Sequence, residues 1–446
     1  MLATVFLTVF FATSQRMPAL EPSLPERDSS LLVKLPEAGL TSGFMVDTLC
    51  NVSGERPSLV RFFSELQALR QGKDTVVTVV QLGDSHIQAG YFSGELMRLF
   101  HKDFGNAGRG LIVPLKLSRT NEPDDYFIRS AITSWTKGRS TQSRPLVPVG
   151  LGGLGIRTTA RKVNLDVIIG EKNGEGYSFN KALLFRHPDA LPLIATGQPA
   201  GSVKTFLAKD TLAGGLVCDT FRISRPTDTL LLRSNTVSPS AKNIYYGLIL
   251  QNEKPGILFH SIGVNGAMFV NYTKEEYIRQ LAVLKPSLLI VSLGTNETFG
   301  KRFSESEFSG QVSRFIDLVR EYLPRTAILL TTPPECFKRV RVNKKYEYVR
   351  NENTERASRA IEEIALKKGV ACWDLFASTG GKGSSEKWYA SGMLGNDRIH
   401  FTRDAYREQG DLLYRAIMKD YNRYASIAED TRPSVQLITS LPHDIR

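Results

Sequence analysis

Residues Thr75 to Leu82 (TVVTVVQL) form a near-continuous β-branched run that stops at Gly83-Asp84-Ser85-His86, and helical spacing then takes over from Gln88 to Phe100. A strand this uniformly apolar needs cover on both faces, which is the situation of a parallel strand between two layers of helices. Upstream, Pro57 to Gln71 places Leu59, Phe62, Phe63, Leu66 and Leu69 on one helical face. Far downstream the alternation returns. Ile257 to Ile262 reads as a strand, Lys274 to Leu284 as a helix and Ser287 to Leu293 as a strand. Phe303 to Tyr322 reads as a helix, Thr326 to Thr331 as a strand, Asn353 to Lys368 as a helix, Val370 to Leu375 as a strand and Thr402 to Tyr421 as the last helix. Alternation of this kind predicts an α/β fold with a doubly wound parallel sheet.

Between about Gly110 and Pro255 the period changes. Short β-like runs (Val163 to Ile169, Ala182 to Phe185, Val203 to Leu207, Thr229 to Leu232, Ile244 to Leu250) are separated by Gly- and Pro-rich turns. They predict a β-sandwich-like domain inserted between the first helix after Ser85 and the second strand, hanging over the carboxyl edge of the sheet or beside it. The expected division is therefore 46–110 and 256–424 for the α/β domain and 111–255 for the insertion. The ends complete it. Leu2 to Ala12 is too short to span a bilayer and fits the apolar region of a signal peptide, over residues 1–15, although no basic residue precedes Arg16. Residues 16–45 read as a linker and 425–446 as a polar tail. An exported chain is expected, in the periplasm or cell envelope or secreted.

Charge and cysteine content exclude several classes. Lys plus Arg number 57 against 45 Asp plus Glu, a net charge of +12, but the basic residues are scattered and the densest run is KRVRVNKK at Lys338 to Lys345. No nucleic-acid reading motif accompanies them, so a solvated basic face, or attraction to a polyanion such as cell wall, is expected rather than nucleic acid. Four cysteines (Cys50, Cys218, Cys336, Cys372) without a C-x-x-C pair exclude a disulfide scaffold and make structural zinc an unsuitable reading. Cys336 and Cys372 either pair in an oxidising compartment or remain separate thiols, and the second is favoured. Gly150 to Gly155 (GLGGLG) has neither a strand before it nor an apolar helix after it, and reads as a turn rather than a nucleotide site. No metal or cofactor is expected.

Reactive residues fall at strand ends, where ligands bind in such sheets. Ser85 follows the first strand, Gly263-Val264-Asn265-Gly266 the second and Gly294-Thr295-Asn296-Glu297 the third, while Asp397 and His400 precede the last helix. Together they supply the parts of ester hydrolysis. Ser85 is the expected nucleophile, His400 its base, and Asp397 the group that fixes the imidazole tautomer. The backbone N–H groups of Ser85 and Gly266 and the amide of Asn296 are the expected oxyanion donors. Glu297 is expected to cap the following turn. Trp388 and Tyr389 suit either sugar stacking or core packing.

Gly83-Asp84-Ser85-His86, Gly263 to Gly266, Gly294 to Glu297 and Asp397-Arg398-Ile399-His400 resemble the four blocks of the GDSL/SGNH hydrolases. The resemblance covers roughly residues 50–110 and 256–420. It implies a flavodoxin-like three-layer α/β/α fold and metal-free acyl-ester hydrolysis by Ser85, His400 and Asp397, with Gly266 and Asn296 completing the oxyanion hole. His86 in place of Leu, Glu297 in place of Asp, and the long gap from Ser85 to Gly266 are similar to a subgroup, the bacterial peptidoglycan O-acetylesterases. Gly105 to Gly110 (GNAGRG) and Gly380 to Gly383 (GGKG) also look like that subgroup. It implies an acetylated glycan as substrate and removal of O-acetyl groups from N-acetylmuramic acid. An acetylesterase for another polysaccharide, a lipase-like acylhydrolase and a non-catalytic wall-binding protein are the alternatives.

Overall fold

The computed structural model describes residues 29–35, 58–170, 177–197, 201–234, 236–237, 242–300 and 302–430. Strands β1 (Val76–Gly83), β2 (Gly256–Gly263), β3 (Leu288–Ser292), β4 (Ala327–Thr331) and β5 (Ala371–Trp373) form one sheet in the order 2-1-3-4-5. Every neighbouring pair is parallel. This is the flavodoxin-like order, which reverses between β1 and β3 and opens a crevice beyond their carboxyl ends. β1 is buried from Val77 onward, as its uniform β-branched composition requires.

Helices fill the two outer layers. α1 (Val60–Arg70), α2 (Ser85–Gln88) and α3 (Tyr91–Phe104) follow one another at the start. α4 (Phe269–Tyr272), α5 (Glu275–Ala282), α6 (Glu305–Tyr322) and α7 (Asn353–Lys368) come after β2. α8 (Leu375–Ser378) and α9 (Ser384–Ala390) lead from β5 towards α10 (Arg403–Asp430). α3 packs on α10 and α1, whereas α6 packs on α5 and α7. The expected face of α1 is the buried one: Leu59, Phe62, Phe63 and Leu66 are within 1% of full burial. Burying each such side chain contributes about 1.5–3 kcal/mol.

Several expectations need correcting. The helix expected over Gln88 to Phe100 is two helices, because Gly90 takes φ +79° between α2 and α3. The last helix does not stop at Tyr421. It continues to Asp430, with Tyr421 and Ala425 buried, so the expected tail begins inside α10. Part of the expected linker is docked rather than extended in solvent. Leu31 and Val33 are 3% exposed, Asn422 bonds both the N–H and C=O of Val33, and Tyr421 Oη donates to Leu31 O. The apolar pair Leu31 and Val33 gives that short stretch something to bury. The Leu2 to Ala12 run and Cys50 lie outside the described residues. Cys336 is a buried free thiol and Cys372 is buried in β5.

The stretch between α3 and β2 is all β. One antiparallel sheet places Asn243–Gln251 at its centre, with Phe179–Arg186 on one side and Leu154–Thr158 and Gly110–Ile112 on the other. A second sheet has the order Tyr126–Arg129, Asn164–Ile169, Thr229–Ser234, Leu193–Thr196. Asn164–Ile169 buries Leu165, Val167 and Ile169 and turns Asp166 and Ile168 outward, the alternation of a one-sided strand. The root of this region is pinned by a buried ion pair. Arg109 and Asp125, 3% and 1% exposed, share two hydrogen bonds, with Arg109 Cζ 5.0 Å from the Tyr126 ring.

Candidate active site

β1 ends at Gly83, and the chain turns so sharply into α2 that Ser85 is its first residue. The turn leaves no room at Gly83: a Cβ there would sit 2.8 Å from Ser292 O and 2.3 Å from Ile87. Asp84 caps α2, its Oδ1 accepting the His86 N–H at 2.9 Å. Ser85 Oγ therefore faces the crevice.

His400 reaches it from the loop before α10. His400 Nε2 lies 2.8 Å from Ser85 Oγ, and His400 Nδ1 lies 2.7 Å from Asp397 Oδ2. The Asp-x-x-His spacing works because Asp397 Oδ1 also accepts the N–H groups of Ile399 and His400, at 2.9 and 3.0 Å, which folds the turn onto itself. Arg398 takes φ +58° to allow this. The Asp397 carboxylate holds the imidazole above its ordinary pKa, against partial burial, which pulls it down. Burial pushes the Asp397 carboxyl up, but the bonds from His400 and the two backbone N–H groups outweigh it, so its pKa falls well below the usual range. The result is a fixed carboxylate, an oriented imidazole and a hydroxyl in line.

Opposite Ser85 stand the two expected donors. Gly266 takes φ +79°, a conformation that side-chain-bearing residues rarely adopt, and faces open space. Asn296 begins a 3₁₀ turn, Asn296–Phe299. Its amide is fully occupied: Nδ2 donates to Asp84 Oδ2 and to Ala267 O, both at 3.0 Å. An oxyanion must compete with one of these acceptors for an N–H. Ser85, Gly266, Asn296 and His400 line one cleft of about 470 Å³, together with Ala89, Tyr91, Asn121, Asn265, Phe401 and Tyr406.

Three buried groups surround this constellation. Burial raises Asp84 to a pKa of about 7 and Glu297 to about 7. Glu297 does not simply cap its own turn. Its Oε1 accepts the Phe269 N–H at 2.8 Å and so ties the Asn296 turn to the start of α4, just after the Gly266 loop. Burial, and then the nearby His400, lower His86 to a pKa of about 3. His86 is therefore neutral at physiological pH, bonded through Nδ1 to Tyr406 Oη at 2.8 Å and packed 5.2 Å from the His400 ring. Trp388 is core, fully buried with Nε1 donating to Thr379 O, whereas Tyr389 is 37% exposed.

Residues 240–408 match the model of the GDSL-like lipase/acylhydrolase family. A solved structure described as a peptidoglycan O-acetylesterase in action superposes with a TM-score of 0.67 at 18% identity, over 81% of this chain and 96% of that one. A putative GDSL-like lipase from Parabacteroides merdae is 14% identical over 37% of this chain and 74% of that one, with a TM-score of 0.29. No curated protein sequence matches. The family match covers the second half of the α/β domain, from β2 to the start of α10. The chain is an ester hydrolase, and its four sequence blocks meet at one cleft.

What the four blocks do not reveal is the polar frame around this cleft. Gln88, 5% exposed, donates through Nε2 to Thr120 Oγ1 and Asn121 Oδ1 at 2.8 and 2.7 Å, while its Oε1 accepts the Asn265 N–H at 2.8 Å. Asn265 Nδ2 bonds Asn121 Oδ1 as well, at 2.8 Å. A loop of the inserted β region thus supplies one wall of the cleft. Nothing in the local sequence of Thr120-Asn121 signals this, because its partners are remote: Gln88 lies more than 30 residues away and Asn265 more than 140.

Proposed function

We propose that this hydrolase removes O-acetyl groups from peptidoglycan, at N-acetylmuramic acid, with Ser85, His400 and Asp397 as its catalytic triad. The observation that carries the reading is the continuous chain from Asp397 Oδ2 through His400 to Ser85 Oγ, with links of 2.7 and 2.8 Å, inside a polar cleft. His400 takes the Ser85 proton as Oγ bonds to the acetyl carbon and the carbonyl π pair moves to oxygen. The oxyanion rests on the Ser85 and Gly266 N–H groups and on Asn296 Nδ2. His400 then gives its proton to the sugar alkoxide as the ester bond breaks. Water deprotonated by His400 attacks the acetyl-serine, and acetate leaves with the original Ser85 hydroxyl restored.

The substrate assignment draws support from the fold likeness to the peptidoglycan O-acetylesterase, which extends over 81% of this chain and therefore beyond the parallel sheet. The cleft lining also favours a small acyl group on a polar carrier. Asn121, Asn265, Asn296, Tyr91 and Tyr406 offer hydrogen-bonding groups, and the lining holds no long aliphatic side chain to receive a lipid tail. An acetylated polysaccharide other than peptidoglycan fits the same lining and is the second reading. Action on cell wall places the chain outside the cytoplasm, in accord with the apolar Leu2 to Ala12 run. The test is acetate release from O-acetylated peptidoglycan by the wild type and by Ser85→Ala. Release by the first and none by the second supports the proposal. Turnover of p-nitrophenyl acetate without release from peptidoglycan rejects the substrate and keeps the triad.

A further inference from the structure

The basic run Lys338 to Lys345 is not a scattered surface charge. Phe337–Val342 and Lys345–Arg350 form an antiparallel hairpin that, among the described residues, pairs with no other strand. Its turn is Asn343-Lys344, both in the left-handed region at φ +49° and +66°. Most of it projects into solvent: Arg339 and every residue from Arg341 to Tyr348 are exposed.

Register sorts its side chains. Cross-strand partners share a face, so Phe337 with Arg350, Arg339 with Tyr348 and Arg341 with Tyr346 form one face, alternating arginine and aromatic rings. Glu347 lies on the opposite face, beside Val340. Arg350, at the root, sits 3.6 Å from Glu335 and 3.7 Å from Glu352. Among the described residues Lys338, Arg339, Arg341, Lys344 and Lys345 form no ion pair. Tyr346 and Tyr348 are 59% and 38% exposed, and Arg339 stacks on Tyr346 with its Cζ 4.1 Å from the ring centre.

The root of this face is locked to the triad turn. Phe337 N donates to Arg398 O at 3.0 Å. The Arg398 guanidinium lies over three rings, Tyr389 at 4.1 Å, Tyr348 at 4.7 Å and Phe337 at 5.2 Å. Tyr389, Arg398, Tyr348, Arg339, Tyr346 and Arg341 therefore make a continuous ladder that starts between Asp397 and His400 and leads outward. Lysines on an exposed ribbon also discourage edge-to-edge pairing, but that does not call for arginines and tyrosines interleaved on one face.

We propose that this ladder is a binding track for a carboxylate-bearing glycan strand, along which the polymeric substrate is threaded towards Ser85. The inference rests on the reading of the cleft as a glycan deacetylase. Tyrosine faces take sugar rings and arginine forks take carboxylates. Arg339 and Arg341, unpaired on this face, complement a polyanion, and the carboxylates committed to here are those of the peptidoglycan substrate and its stem peptides.

The test compares the wild type with Arg339→Gln/Arg341→Gln, both exposed on the ladder face and outside the cleft. Turnover of p-nitrophenyl acetate should be unchanged. KM for acetate release from soluble O-acetylated glycan strands should rise about fivefold with kcat unchanged, the size that two exposed ion pairs supply together. A wild-type KM in the double variant overturns the track. Two measurements do not depend on that variant or on turnover. Ser85→Ala protein should sediment with purified sacculi at low salt, and amidating the sacculus carboxylates should abolish this. Equal binding to amidated sacculi, or binding that requires phosphate polymers instead, also overturns it. Because binding is read in inactive protein, failure of the track and failure of the deacetylase reading are told apart.

Discussion

Asp84 Oδ2 accepts an Nδ2–H of Asn296 at 3.0 Å while Asp84 Oδ1 accepts the His86 N–H at 2.9 Å. One buried carboxyl group thus joins the helix that presents Ser85 to the amide that faces it. Asp84 is a positioning residue in this arrangement. Asp84→Ala is expected to lower kcat on p-nitrophenyl acetate by about 10- to 100-fold, with KM little changed, because a donor displaced from the oxyanion position acts only in the transition state. A loss confined to KM would show that Asp84 does not act through Asn296.

Asn296→Ala removes that donor outright. The expected cost is about 10²–10³ in kcat, with stability altered far less. Thermal unfolding measured beside kcat separates the two. A wild-type rate would exclude Asn296 from the oxyanion hole.

Asp397→Asn keeps the shape of the turn but allows His400 the wrong tautomer. A fall of about 10³–10⁴ in kcat is expected. The same pair sets the pH profile. His400 must be neutral to accept the Ser85 proton, and Asp397 raises its pKa above the ordinary 6.5. kcat/KM should therefore climb with pH through a midpoint above 6.5 in the wild type. A midpoint at or below that value contradicts the role of Asp397. The stability that the pair adds has the opposite slope. It is present between the unfolded carboxyl and unfolded histidine values, and is lost as pH rises through the folded histidine pKa or falls through the depressed Asp397 one.

Glu297 gives a stability test away from the triad. Its folded pKa is raised from 4.5 to about 7 by burial. The folded state therefore holds a proton that the unfolded state releases, and stability should fall as pH rises between those values. Glu297→Gln keeps an acceptor for the Phe269 N–H and should flatten that decline in urea titrations across the window. An unchanged slope would mean that Glu297 is ionised throughout.

Arg109 and Asp125 carry the largest single stability prediction. Removing one partner of a buried pair leaves the other uncompensated, so Arg109→Ala should cost about 3–5 kcal/mol. Replacing both with apolar residues should recover much of the loss. Chemical denaturation of the single and double variants measures both.

The parallel sheet was legible in the sequence because apolar strand runs and helical periodicity are local signals. The first three blocks were legible because each follows a strand and the sheet brings those carboxyl ends together, and the fourth because its Asp-x-x-His spacing precedes the last helix. Local reading failed where the deciding partner was remote. Gly90 breaks a helix that periodicity alone carries through, Leu31 and Val33 dock only because α10 extends to meet them, and Trp388 becomes core while its neighbour Tyr389 stays at the surface. Residue identity alone determined that a serine, a glycine and an asparagine would stand at strand ends, with an aspartate and a histidine in the loop before the last helix. Only the tertiary structure decided that Asp84 holds Asn296, that Glu297 reaches Phe269, that Asn121 walls the cleft and that the KRVRVNKK run is a ribbon rooted in the triad turn. Those relationships depend on desolvated polar groups finding partners across long stretches of chain, and burial, which makes such partners obligatory, is a property of the packed molecule.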